Sequence, residues 1–162
     1  MPIPQTTIGQ YMAPGYAGLL YDSGFRDTMS YSAEGAIPFG SFVKLGTNKE
    51  RQVLAPTTAA GQAALLVGVA EATASVEQAY PSTGAAAAYA VTETVSMLKD
   101  GRIWVNTNDA VVAGAVANFV LANGTVTDEA VGAGIEAFTQ LTVKFITGTT
   151  AAGLAVVEIA PK

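Results

Sequence analysis

Few side chains in this chain are equipped for chemistry. Asp128 and Glu129 stand side by side, and Glu93 can face the strand that carries Arg102. Paired carboxylates hydrolyse glycosides when a cleft holds them roughly 5–10 Å apart. Nothing in the pattern builds such a cleft. Asp128-Glu129 follows a strand and reads as the start of a turn. Glu93 is expected at a rim position or paired with a Lys or Arg. Asn106, Asn108 and Asp109 resemble the opening of a calcium loop, but the glycine and the distal bidentate Glu of an EF-hand are missing. Gly132-Ala133-Gly134 lacks the Gly-Lys-Ser/Thr and the βαβ setting of a phosphate loop. No serine sits in a Gly-x-Ser-x-Gly elbow. The 162 residues include no histidine and no cysteine, so imidazole proton transfer, thiolate attack and an N/S zinc or copper site are excluded. The chain is read as a non-enzyme, with no catalytic residue, no metal and no cofactor.

The elements available to position side chains are short and β-like. Phe42-Val43-Lys44-Leu45 runs into a Gly46-Thr47-Asn48 turn. Ala64 to Ala70 is an apolar run that suits burial on both faces, and Gly68 within it marks a bulge or a close backbone approach. A long strand is expected over Tyr89–Lys99, with Val91, Glu93, Val95, Met97 and Lys99 on one face. Asp100-Gly101 then predicts a hairpin into Arg102–Asn106, because Asp-Gly suits a two-residue turn with positive φ. Asn123-Gly124 predicts a second hairpin between Asn118–Ala122 and Thr125–Thr127. A third joins Leu141–Thr147 to Leu154–Ile159, with Leu141, Val143 and Phe145 sharing one face. Helix is weakly supported: Gly61 interrupts Thr58–Ala64, and Ala85–Ala88 is a single turn beside Pro81 and Gly84. Asp109–Ala117, with Gly114, reads as a turn between strands. The fold class is therefore all-β, a compact antiparallel β-barrel or sandwich of about seven or eight short strands with an extended N-terminal arm.

Composition points to contact with protein. Half of the residues are apolar and only 13% are charged, about half the usual share, so much of the surface is expected to meet another protein. The formal net charge is −5 and the eight Lys and Arg are scattered, which argues against nucleic acid and against an acidic membrane. The opening MPIPQTTIGQ lacks the pattern of a signal peptide, and no apolar run nears the ~20 residues of a membrane span. Synthesis in the cytoplasm is expected.

Residues 1–34 form one block and residues 35–162 the β domain. The block holds Pro2, Pro4 and Pro14 with four glycines, a density that breaks helices and interior strands. It also holds Tyr11, Tyr16, Tyr21 and Tyr31, four of the six tyrosines. Disordered tails are poor in rings, so this arm is expected to lie on a partner, the alternative being that it folds back on its own domain. Candidate partner or oligomer contacts are Tyr11, Met12, Tyr16, Tyr21, Phe25, Arg26, Tyr31 and Trp104. Trp104 faces the opposite side of its strand from Ile103 and Val105. It either caps a second apolar layer or lies at an oligomer interface.

Three stretches resemble the structural cement, or capsid decoration, proteins of tailed bacteriophages. They are Asp22-Ser23-Gly24-Phe25 followed by Ala33–Gly40 (AEGAIPFG), then Leu66–Ala70 (LVGVA), then Val95–Leu98 with Gly101–Val105 (GRIWV). The resemblance covers about residues 15–125; the C-terminal 35 match in β character alone, and the Ala-rich 72–88 stretch looks like an elaboration. It implies a structural virion protein, not an enzyme, bound outside a shell of HK97-fold major capsid subunits and bridging neighbouring capsomers. It also implies self-association as a homotrimer, with a homodimer as the alternative. Removing residues 1–30 is then expected to abolish shell binding while the domain still folds. The rival readings are a receptor- or glycan-binding β module of a virion, which would need exposed rings around a pocket, and a carboxylate hydrolase on a β scaffold.

Overall fold

The computed structural model describes residues 15–22, 24, 26–73 and 88–162. Among these residues twelve strands form, many of only two or three residues: β1 (Asp27–Ala33), β2 (Ile37–Pro38), β3 (Phe42–Leu45), β4 (Gln52–Leu54), β5 (Leu66–Ala70), β6 (Ala88–Tyr89), β7 (Thr94–Asn106), β8 (Asn118–Val120), β9 (Val126–Thr127), β10 (Ile135–Ala137), β11 (Leu141–Phe145) and β12 (Leu154–Pro161). Among the described residues there is no α-helix, and a single 3-10 turn spans Ala63–Leu65.

The main sheet runs β1-β4-β3-β5-β7-β12-β11, and β1 also pairs with β7. That extra pairing closes five strands into a barrel, while β12 and β11 extend from it as an open wing. A smaller sheet of order β10-β8-β9 lies apart from the main one. Alternation along the strands feeds two cores. Val43, Val53, Ala70, Val95 and Met97 fill the barrel with Ile37, Phe39 and Tyr89. Phe42, Leu66, Val69, Leu98, Ile103 and Val105 face the other way, onto Phe119, Val126 and Phe138 and the wing residues Val143, Phe145, Val157 and Ile159. Neighbouring residues such as Phe42 and Val43 therefore serve different cores, as the two-residue period of a strand requires.

Several sequence expectations hold. Asn118–Val120 and Val126–Thr127 pair antiparallel around Asn123-Gly124, and Leu141–Phe145 pairs with Leu154–Pro161. Gly68 sits at a bulge: Val43 faces Gly68 but Lys44 faces Leu66, leaving Val67 as the extra residue. The approach is close as well, since a Cβ at Gly68 would lie 2.6 Å from the Leu98 carbonyl oxygen.

Two expectations fail. Asp100-Gly101 makes no hairpin. The strand passes straight through, and Gly101 takes a φ of 137° where β7 changes partners. Before that point β7 pairs with β1 and β5, and after it with β12. The dipeptide stays within one strand because both halves find partners far away in sequence. The strand expected over Tyr89–Lys99 is also broken. Residues 90–93 form a turn with Thr92 at a φ of 71°, and Glu93 closes it by accepting from the Ala90 amide at 2.6 Å. Glu93 thus lies in a turn and, among the described residues, has no Lys or Arg partner.

β1, drawn from the segment assigned to the N-terminal arm, is paired along its length with β7 and also with β4. A deletion through residue 30 would cut this strand in half and open the barrel. The expectation that the domain folds without residues 1–30 is corrected accordingly.

Candidate interaction surface

The surface is built where the chain preceding β1 meets the C-terminal half of β7. Residues 15–22 run beside that half as an irregular added strand. The Gly18 amide donates to the Trp104 carbonyl at 2.8 Å, the Trp104 amide to Leu19 at 2.9 Å, and the Tyr21 amide to Arg102 at 3.0 Å. Leu20 bridges Ile103 antiparallel. On its other side the segment is held by the Ala72 amide, which donates to the Gly18 carbonyl at 2.7 Å.

Gly18 and Gly40 cross at this point. Both have positive φ, and a Cβ on Gly40 would come within 2.6 Å of the Gly18 nitrogen. Two glycines at one crossing let backbone lie on backbone. This gives a physical role to the final glycine of the AEGAIPFG stretch.

Side chains complete the surface. Gly15 lies against the Trp104 indole, and Tyr21 meets the same ring edge-on at a centroid distance of 6.0 Å. Trp104 is consequently 8% exposed, whereas Tyr16 and Tyr21 remain 49% and 46% exposed. Arg102 lies between two carboxylates, with Glu158 at 2.8 Å and Asp22 at 3.2 Å. Its pKa is raised further, first by Glu158 and then by Asp22. Arg26 pairs loosely with Glu71 at 3.6 Å.

Of the candidate contacts, the fold brings Tyr21 and Trp104 together, with Tyr16 close by in sequence. Tyr31 sits on β1 opposite Val95, in the other half of β7 from Trp104. Tyr11, Met12 and Phe25 lie outside the described residues. Most of the Ala-rich 72–88 stretch does too. Trp104 is covered by its own chain, through residues 15–21. Sequence reasoning missed the Asp22–Arg102–Glu158 network and the Gly18–Gly40 crossing. Glycines at 15, 18 and 40 were the available signal, but nothing local says that they meet.

Several of the side chains considered for catalysis or calcium have structural partners. Asp109 accepts from the Thr127 hydroxyl through both carboxylate oxygens, at 3.0 and 3.2 Å. Asn108 accepts from the Asn123 side chain at 2.8 Å, and Asp128 accepts from the Val112 amide at 2.8 Å. Among the described residues, no three His, Cys, Asp or Glu side chains group as metal ligands would.

A five-stranded barrel with an added wing and an exposed aromatic rim places the chain among compact all-β folds. The family model described as structural cement protein (E217 gp24/Pam3 gp6) matches residues 3–160. The chain belongs to that family, a bacteriophage cement family, and this assigns it a structural role in the virion. No curated protein matches the sequence. A chain from the solved structure "The capsid of Myoviridae Phage XM1" shares the fold, with a TM-score of 0.70 at 15% identity, covering 98% of this chain and 97% of that one.

Proposed function

We propose that the protein cements the outside of a tailed-phage capsid, bridging neighbouring capsomers of HK97-fold major capsid subunits. Family membership over residues 3–160 carries this reading. It acts as a homotrimer, or as a homodimer, and binds neither nucleic acid nor membrane. It is made in the cytoplasm of the bacterial host and works without catalysis.

The surface suits that work. Only 13% of the residues are charged, and exposed tyrosines flank an edge built from residues 15–22. Tyrosine brings large contact area and a polar tip to an interface core. Contacts to several subunits at once raise avidity without any single strong contact. The arm, including Tyr11, Met12 and Phe25, adds to these contacts.

Co-sedimentation with undecorated shells tests the reading. Full-length protein is expected to pellet with the shells. Protein lacking residues 1–14, which keeps the Gly15–Trp104 contact and all of β1, is expected to stay folded and pellet far less. Full-length protein that remains in the supernatant at every shell concentration would overturn the proposal.

A further inference from the structure

A cleft of about 490 Å3 is lined by barrel residues together with residues 139–141 and 161–162 at the end of the wing. Its apolar floor is Tyr31 of β1, Leu45 of β3, Val67 of β5 and Met97 of β7, with Lys99 and Lys162 among the remaining lining residues. We propose that this cleft docks an extended segment of a shell subunit, which inserts an apolar side chain onto the floor and sets an adjacent carboxylate against Lys99. The inference rests on the cement reading and names the chemistry by which one of its contacts is made.

Charge is the first argument. The chain has 13 acidic and eight basic residues. Two of those eight line this one cleft, and no carboxylate side chain lines it. An acidic protein with a locally cationic recess favours an anionic partner there. The Lys99 ammonium has neither a hydrogen bond nor an ion pair among the described residues. Lys162 is committed through its Nζ to the Phe138 carbonyl at 2.6 Å. Lys99 is therefore the free charge at the opening. A lysine–carboxylate hydrogen bond is the stronger, charge-assisted kind.

The floor is the second argument. The Tyr31 hydroxyl donates to the Met29 sulfur at 3.9 Å, a weak contact that a stronger acceptor can displace. Met29 itself is 40% exposed and lies opposite Met97 across the strand pair. Half-buried Tyr31, Leu45 and Val67, packed over the buried Met97, make an apolar surface. A recess with such a floor accepts a single anchoring side chain, and an anchor seated in a pocket gives a disproportionate share of an interface's energy. The cleft is also separate in the fold from the Tyr21–Trp104 rim, so one molecule would offer two points of attachment, as bridging requires.

The test uses full-length protein and undecorated shells. A zero-length carbodiimide joins a lysine amine to a carboxylate in contact with it, and mass spectrometry identifies the pair. Lys99 is expected to join an Asp or Glu of a shell subunit. Lys99→Glu is expected to lower shell retention at least tenfold, with Lys99→Arg retaining it. Trp104 fluorescence and thermal melting report whether each variant is folded, and the wild-type cross-link decides the question if Lys99→Glu is not. A Lys99 cross-link to a second copy of the chain, or none to a shell subunit, overturns the inference. So does unchanged retention of folded Lys99→Glu while wild-type protein pellets normally. Failure of wild-type protein to pellet removes the cement reading itself, and the docking proposal with it.

Discussion

Gly15 rests against the indole of Trp104, so closely that a Cβ at residue 15 would stand 2.7–2.8 Å from three of its atoms. Something must move if any side chain is placed there. Trp104 is the single tryptophan of the chain, so the chain's tryptophan fluorescence reports on the surroundings of this one ring.

Gly15→Val is expected to lift residues 15–21 off β7 and wet the indole. Trp emission should shift to longer wavelength. The segment can swing out, so the cost is limited to its own docking, about 1 kcal/mol, or ~2–4 °C in Tm. An unshifted emission spectrum would show that the ring is covered by something else.

Gly68→Ala should cost more, because its surroundings cannot yield. The added methyl would meet the Leu98 carbonyl and the Met97 side chain at 2.6–2.7 Å inside the barrel wall. A loss of about 1–3 kcal/mol is expected from denaturant unfolding.

Glu34 carries an acid-side dependence of stability. Its carboxylate accepts from the Thr47 hydroxyl at 2.6 Å and from the Thr47 amide at 2.7 Å. These bonds, the hydroxyl first, hold its pKa below the ordinary value of 4.5. A depressed folded pKa means stabilisation that is fully present above 4.5 and lost as the pH falls through the lowered value. Glu34→Gln should therefore melt lower than wild type at neutral pH, and the two curves of Tm against pH should converge in acid. Parallel curves down to low pH would contradict this.

Tyr89 gives the opposite dependence. Its ring is fully buried at 5.0 Å from that of Phe39, and its hydroxyl donates to the Glu71 carbonyl at 2.5 Å. Burial is the main cause of its pKa being pushed above 10.0. Stability from the protonated hydroxyl is present below that value and is lost as the pH rises further. Tyr89→Phe leaves the Glu71 carbonyl short of a donor and should cost about 1–3 kcal/mol at neutral pH. The difference from wild type should shrink in strong alkali.

The fold was legible wherever a signal was local. Leu141–Phe145 alternates because one face is buried, and the same alternation is visible in the letters. Asn123-Gly124 turns where its composition says it should. Asp100-Gly101 has equally good turn chemistry and does not turn, because β1, β5 and β12 hold both flanking halves in one strand. That outcome depends on residues as far away as Asp27, the partner of Asp100. The two-residue strands β2 and β6 were invisible for a related reason: a pair such as Ile37 with Tyr89 has no period to read. The aromatic rim was half legible. Tyr21 and Trp104 were both singled out, but their mutual contact and the glycine beneath the indole come from chain closure. Lys99 gave no signal, since its lack of a partner is a property of the folded surroundings.

Thr94–Asn106 belongs to the barrel wall through its first half and to the wing through its second. A force drawing barrel and wing apart along this strand would load its whole row of hydrogen bonds in shear. Bonds loaded together yield far less readily than bonds peeled one at a time. A shell fitting that straddles a seam is then expected to give way at its grip on the subunits before its own body comes apart.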